Sequence, residues 1–219
     1  DVDRIDEETG LAATALSPGG LVNALIIERG DVAASLVGQR ESTHMGTPSI
    51  EASFAGTDDA VASLEAAVAE GGPVAEATYR PVLDRIDTQL PAFRDAFANA
   101  PQPYSLDNLD MSPELYDDYS GLLDALTAAN ARLTGEITDP ELRAAATALD
   151  GVNRLHDDLS NVTQKAALGA TLGWIDLPEY RDEVVRLADA YDRAVADLAS
   201  QRTGSWSEEV EAFSRTPNY

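Results

Sequence analysis

Two arginines stand where a helix ought to be apolar. The stretch Leu21 to Arg40, LVNALIIERGDVAASLVGQR, reads as one amphipathic helix. At about 100° per residue, Val22, Leu25, Ala33 and Leu36 fall within about 40° of Arg29, and Val32 and Ile26 flank them. Asn23, Glu28, Asp31 and Ser35 fall on the other sides. Arg40 lies only about 20° from Arg29 on the same wheel. A guanidinium keeps its charge at any relevant pH, so a buried one needs an acidic partner or a bound anion. Two readings of Arg29 follow: a structural ion pair, or an anion site whose ligand replaces that partner. Arg40, nearer the end of the apolar pattern, is expected to snorkel to solvent.

Other chemistry finds little footing. His44 and His156 lack metal-ligand spacing, and His156-Asp157-Asp158 is expected to be a solvated helix face. No glycine-rich phosphate loop follows a strand, and there is no nucleophile elbow. The adjacent acids Asp117-Asp118 and Glu208-Glu209 diverge on a helix instead of converging on a substrate. Tyr104, Tyr116 and Tyr119 are expected in the core or at its rim. The chain is therefore expected to be no enzyme and to carry no cofactor or metal. Without cysteine, disulfides and thiolate chemistry are excluded.

The charge narrows the partners further. Thirty-nine acidic against 15 basic residues leave a formal net charge of -24, which opposes nucleic acid and anionic membrane surfaces. Lys165 is the sole lysine. No run of about 18 apolar residues spans a bilayer. The chain starts at Asp1 without a methionine, and it is expected to be a trimmed part of a longer protein.

The elements that must position Arg29 are all helical. Residues 1–16 are an expected helical lead-in, and Ser17-Pro18 supplies a cap and first-turn proline for the Arg29 helix. Residues 44–56 are expected to form a connection, with Thr57-Asp58 capping a second helix that Gly71-Gly72 ends. Tyr79, Val82, Leu83, Ile86, Leu90 and Phe93 predict a third helix, interrupted or kinked by Pro81 and Pro91. Pro101 to Met111 reads as a hinge. A helix after Ser112-Pro113 carries Leu115, Tyr119, Leu122, Leu126, Ala129 and Leu133, the seam of an antiparallel bundle. Thr138-Asp139-Pro140-Glu141 opens the longest helix, to about Trp174, whose late Gly169 and Gly173 suggest close helix approach. Further helices are expected from Glu179 to about Arg202 and over 205–215. The fold is predicted to be an all-α antiparallel bundle of six to eight helices. Residues 1–219 form one domain with helical halves at about 10–100 and 112–215, and its long helices offer a surface for a homodimer.

LVNALIIERGDVAASLVG resembles the opening helix of the nitrate- and nitrite-sensing domain family, an apolar helix bearing Leu-x-x-Glu-Arg-Gly followed by small residues and a leucine. Thr57-Asp58 with Ala60, Val61 and Leu64 is similar to the start of the family's second helix, and Thr138-Asp139-Pro140-Glu141-Leu142 to that of its long later helix. The resemblance covers about residues 10–215. It implies two stacked four-helix bundles sharing long helices. It also implies an extracytoplasmic domain between transmembrane segments outside this chain, feeding a histidine kinase, chemoreceptor or cyclase. The ligand would be a small anion such as nitrate or nitrite, read by arginines of which one matches Arg29. The chain departs from the pattern in two places. Ser53-Phe54 stands where the family has Gln-Arg before its Thr-Asp, with Gln39-Arg40 earlier. Around Gly169, where the family often reads Glu-x-x-Gly-x-Glu-Arg, this chain has Lys165 and then Ala170, Thr171 and Leu172. The ligand-binding residues expected are thus Arg29, Arg40 and, as a point charge without a fork, Lys165. The alternative class is a helical interaction or spacer domain in which Arg29 is paired to a carboxylate.

Overall fold

The computed structural model describes residues 10, 13–15, 17–36, 49–99, 111–173 and 176–200. They form six long helices: α1 (Pro18–Leu36), α2 (Ile50–Glu70), α3 (Gly72–Asn99), α4 (Met111–Glu136), α5 (Pro140–Leu172) and α6 (Pro178–Ser200). No strand occurs among the described residues, so the all-α prediction holds. Arg40, His44, the 101–110 segment and the 205–215 helix lie outside them.

Local chemistry sets most boundaries. Pro18 sits in the first turn of α1, where its missing N–H costs nothing. Asp139 caps α5 by accepting from the backbone of Glu141 and Leu142, both at 2.9 Å. Gly173 closes the helix in the left-handed conformation, φ 73°. The expected start of α2 and the expected interruption of α3 need correcting. α2 begins at Ile50, within the expected connection, because Ser49 caps it by accepting from Ala52 N at 3.3 Å. Thr57 is then an interior residue, fully buried, whose hydroxyl donates to Ser53 O instead of capping. α3 runs unbroken through Pro81 and Pro91. Both prolines are exposed, so water can serve the carbonyls they leave unbonded, while Tyr79, Val82, Leu83, Ile86, Leu90 and Phe93 stay buried on the other side.

The packing places α1 at the centre. α1, α2, α3 and α4 form a ring in which each touches the next and α4 returns to α1; α5 lies in the groove between α1 and α4, and α6 packs on α5. Chain neighbours run antiparallel, as pairs such as Phe54–Phe97, Phe93–Tyr119, Asn130–Asp150 and Lys165–Glu183 require. The α4 seam is buried as expected, with Tyr119, Leu122, Leu126, Ala129 and Leu133 each 0 % exposed. α5 turns a mixed face inward: Leu142 and Val152 are exposed, Ala146 and Leu155 are buried, and Asp150, Asp157 and Gln164 reach into the bundle. Of the two late glycines, Gly169 meets the close-approach expectation, since a Cβ there would stand 2.2 Å from the Tyr180 ring of α6, whereas a Cβ at Gly173 would meet nothing within 4 Å.

Candidate functional site

Three consecutive residues of α1, Glu28, Arg29 and Gly30, meet side chains of other helices. Arg29 is 1 % exposed. Its Nε donates to Gln164 Oε1 of α5 at 3.1 Å, Nη1 to Ser120 Oγ of α4 at 3.1 Å, and Nη2 to Asp157 Oδ1 of α5 at 2.8 Å. Gln164 is itself held, its Nε2 donating to Ile26 O at 3.2 Å. Gly30 makes that clamp possible: a Cβ at residue 30 would lie 2.5 Å from Gln164 Nε2. The guanidinium is thus fixed where α1, α4 and α5 converge.

Asp157 supplies the charge that a buried guanidinium demands. Its side chain is 23 % exposed, so solvent reaches the carboxylate but not the arginine behind it. Burial holds the Asp157 carboxyl above the usual carboxylate range, more than Arg29 pulls it down, and Asp124 of α4 pushes it the same way. Asp158 is raised too, by burial and then by Asp157. The expectation of a solvated face at 156–158 is corrected at Asp157, which turns inward to Arg29; His156 is exposed. On the same stretch of α5, His156, Leu159, Ser160 and Thr163 line a shallow open depression of about 360 Å³.

Glu28 forms a second buried centre that the helix wheel placed on the polar side. It is 0 % exposed. Arg94 of α3 binds it with two parallel bonds, Nε to Oε1 and Nη2 to Oε2, each 2.9 Å, and the Tyr119 hydroxyl donates to Oε1 at 2.7 Å. Arg94 also reaches Asp58 and Phe54 O of α2 and lies 4.6 Å above the Phe54 ring. Burial opposes the Arg94 charge, but Glu28 and Asp58 outweigh it and hold its pKa above the usual arginine value. Burial, with Glu28 beside it, pushes the Tyr119 phenol well above its ordinary value. The sequence reading missed Arg94, although it lies three and four residues from the buried Phe97 and Leu90, the same kind of signal that marked Arg29.

Of the three residues expected to bind an anion, the structure brings Arg29 to the bundle centre and turns Lys165 toward α6. Lys165 Nζ pairs with Glu183, and the Tyr180 hydroxyl donates to Lys165 O. Gln164 and Lys165 are sequence neighbours whose side chains bond to different helices, α1 and α6. Among the described residues no cluster of His, Asp or Glu is arranged to hold a metal. What the Arg29 centre offers is a preorganised planar cation, clamped at Nε, facing a carboxylate at the solvent edge. A family model described as nitrate and nitrite sensing matches residues 20–218. No curated protein and no solved structure matches the chain.

Proposed function

Because the chain belongs to the nitrate and nitrite sensing family, we propose that it is the extracytoplasmic ligand-sensing domain of a membrane-bound receptor, of the sensor histidine kinase kind, reading a small planar anion at Arg29. Among the described residues no helix is long and apolar enough to cross a membrane, so the proposed anchoring belongs to segments outside them. The observation that carries the reading is the burial of Arg29 at the junction of three helices, held at Nε by Gln164. A planar oxyanion suits a guanidinium fork, and water is already excluded there. An anion at this point would alter the tie between α1 and the 33-residue α5, which gives a route from ligand to long-helix movement. It would do so only through different affinities for the two packings. Arg40 and Lys165 remain the proposed sources of a second positive charge, and Lys165 would have to leave Glu183 to serve.

A second reading, a helical interaction or spacer domain, is favoured by Asp157, which already neutralises Arg29. Thermal unfolding in sodium nitrate against sodium chloride at equal ionic strength separates the two. Chloride is the necessary control, since screening a net charge of -24 stabilises the fold by itself. At about 100 times the dissociation constant, specific binding adds about 2.7 kcal/mol. A nitrate-specific shift lost in Arg29→Gln supports the sensor; equal curves in both salts support the spacer.

A further inference from the structure

The residue that argues against a ligand is also placed to regulate one. We propose that the Asp157 carboxylate is a resident competitor at Arg29, and that the anion binds by displacing it and so removing the charged bond of the α1–α5 tie. The inference rests on the sensor reading of Arg29. Three observations carry it. Asp157 is the described acidic partner of Arg29, through one oxygen on Nη2, and a carboxylate presents the same planar oxygen pair as nitrite or one edge of nitrate. The guanidinium has only 1 % exposure against 23 % for Asp157, so the carboxylate lies on the solvent side of the site. Among the described residues, the neutral contacts Gln164 and Ser120 bind different nitrogens. They keep the guanidinium in place when Asp157 leaves.

Asp157 also has somewhere to go and reason to leave. It stands between His156 and Asp158 on α5, with its side chain already 23 % open to solvent. Asp124 of α4 is a like charge that repels it. The displaced carboxylate gains water, and the incoming anion inherits the cation. Affinity is then reduced by the fraction of molecules in which Asp157 holds the site, a tax that removing the carboxylate abolishes.

The test is nitrate binding, followed by calorimetry with sodium chloride at matched ionic strength, in the wild type, Asp157→Asn, Asp157→Ser and Arg29→Gln. Circular dichroism checks that each is folded. The expected result is at least about tenfold tighter binding in either Asp157 variant, with binding lost in Arg29→Gln. Unchanged or weaker binding in folded Asp157 variants, beside wild-type binding that Arg29→Gln removes, overturns the competitor and leaves the sensor standing. Absence of nitrate binding in the wild type and both Asp157 variants overturns both. A measurement on the wild type stands independently of the variants: the Asp157 side-chain carboxyl carbon resonance must move on nitrate saturation, and a resonance that stays put refutes displacement.

Discussion

Replacing Arg94 by methionine should show how much a single buried charge is worth in this bundle. Arg94→Met keeps most of the aliphatic volume but removes both 2.9 Å bonds to Glu28. Glu28, 0 % exposed, then has Tyr119 as its described partner, at 2.7 Å. Truncating one side of a buried pair costs about 3–5 kcal/mol, because the other charge stays desolvated. The bond to Asp58 adds little to this, since that carboxylate is 63 % exposed. In a chain of this size each kcal/mol moves the melting temperature by about 2–4 °C, so the expected fall is about 6–20 °C. Differential scanning calorimetry at pH 7 and fixed ionic strength measures it. The double variant Glu28→Gln/Arg94→Met should recover much of the loss, because no buried charge then remains unpaired. An Arg94→Met protein melting within about 2 °C of wild type, or a double variant as unstable as the sum of the singles, would refute the reasoning.

Arg29→Ala is expected to lose about 3–5 kcal/mol and any nitrate response, with Arg40→Ala costing less; urea unfolding compares them. Gly30→Ala places a methyl against Gln164 Nε2 and breaks its bonds to Arg29 and Ile26, for a net loss of about 1–2 kcal/mol after the helix-propensity gain. Stability at or above wild type would contradict that. Asp157 titrates above the usual carboxylate range when folded, so the native state binds its proton more readily than the unfolded chain. Its contribution is fully present below the unfolded value near 3.9 and lost as pH rises through the folded one. The stability of wild type relative to Asp157→Asn should therefore grow as pH falls from 7 toward about 4, and a difference of opposite slope would refute the assignment.

The sequence revealed one end of each interaction better than the other. Arg29 was legible because a charge on an apolar stripe is visible within one helix, and the α4 seam for the same reason. Glu28 was not, since a wheel with one buried face puts residue 28 about 100° from Arg29, whereas α1 is enclosed by α2, α4 and α5. The partners were harder still. Asp157 lies 128 positions from Arg29 and Arg94 lies 66 from Glu28, and nothing local selects one carboxylate among 39 acids. A trace was present in α5, where Asp150, Asn153, Asp157 and Gln164 recur at helical spacing. These inward groups meet Asn130, Gly19, Arg29 and Ile26, so the polar repeat, more than the leucines, marks the face turned to the bundle. Thr57-Asp58 misled because a cap and an interior hydroxyl look alike until Ser49 is seen to start the helix.

Glu28 and Arg29 key α1 like adjacent splines on a shaft. One engages α3 through Arg94, the other α5 through Asp157, and both are rigidly tied to the same turn of backbone. At a side-chain radius of about 5–6 Å, twisting α1 by about 10° carries both charged groups sideways by about 1 Å, enough to spoil bonds of 2.8–2.9 Å. With both splines seated the helix resists torsion. With the Arg29 spline disengaged from Asp157, Glu28 stays fully seated while Arg29 keeps its neutral bonds to Gln164 and Ser120, and α1 becomes a shaft held less stiffly against torsion.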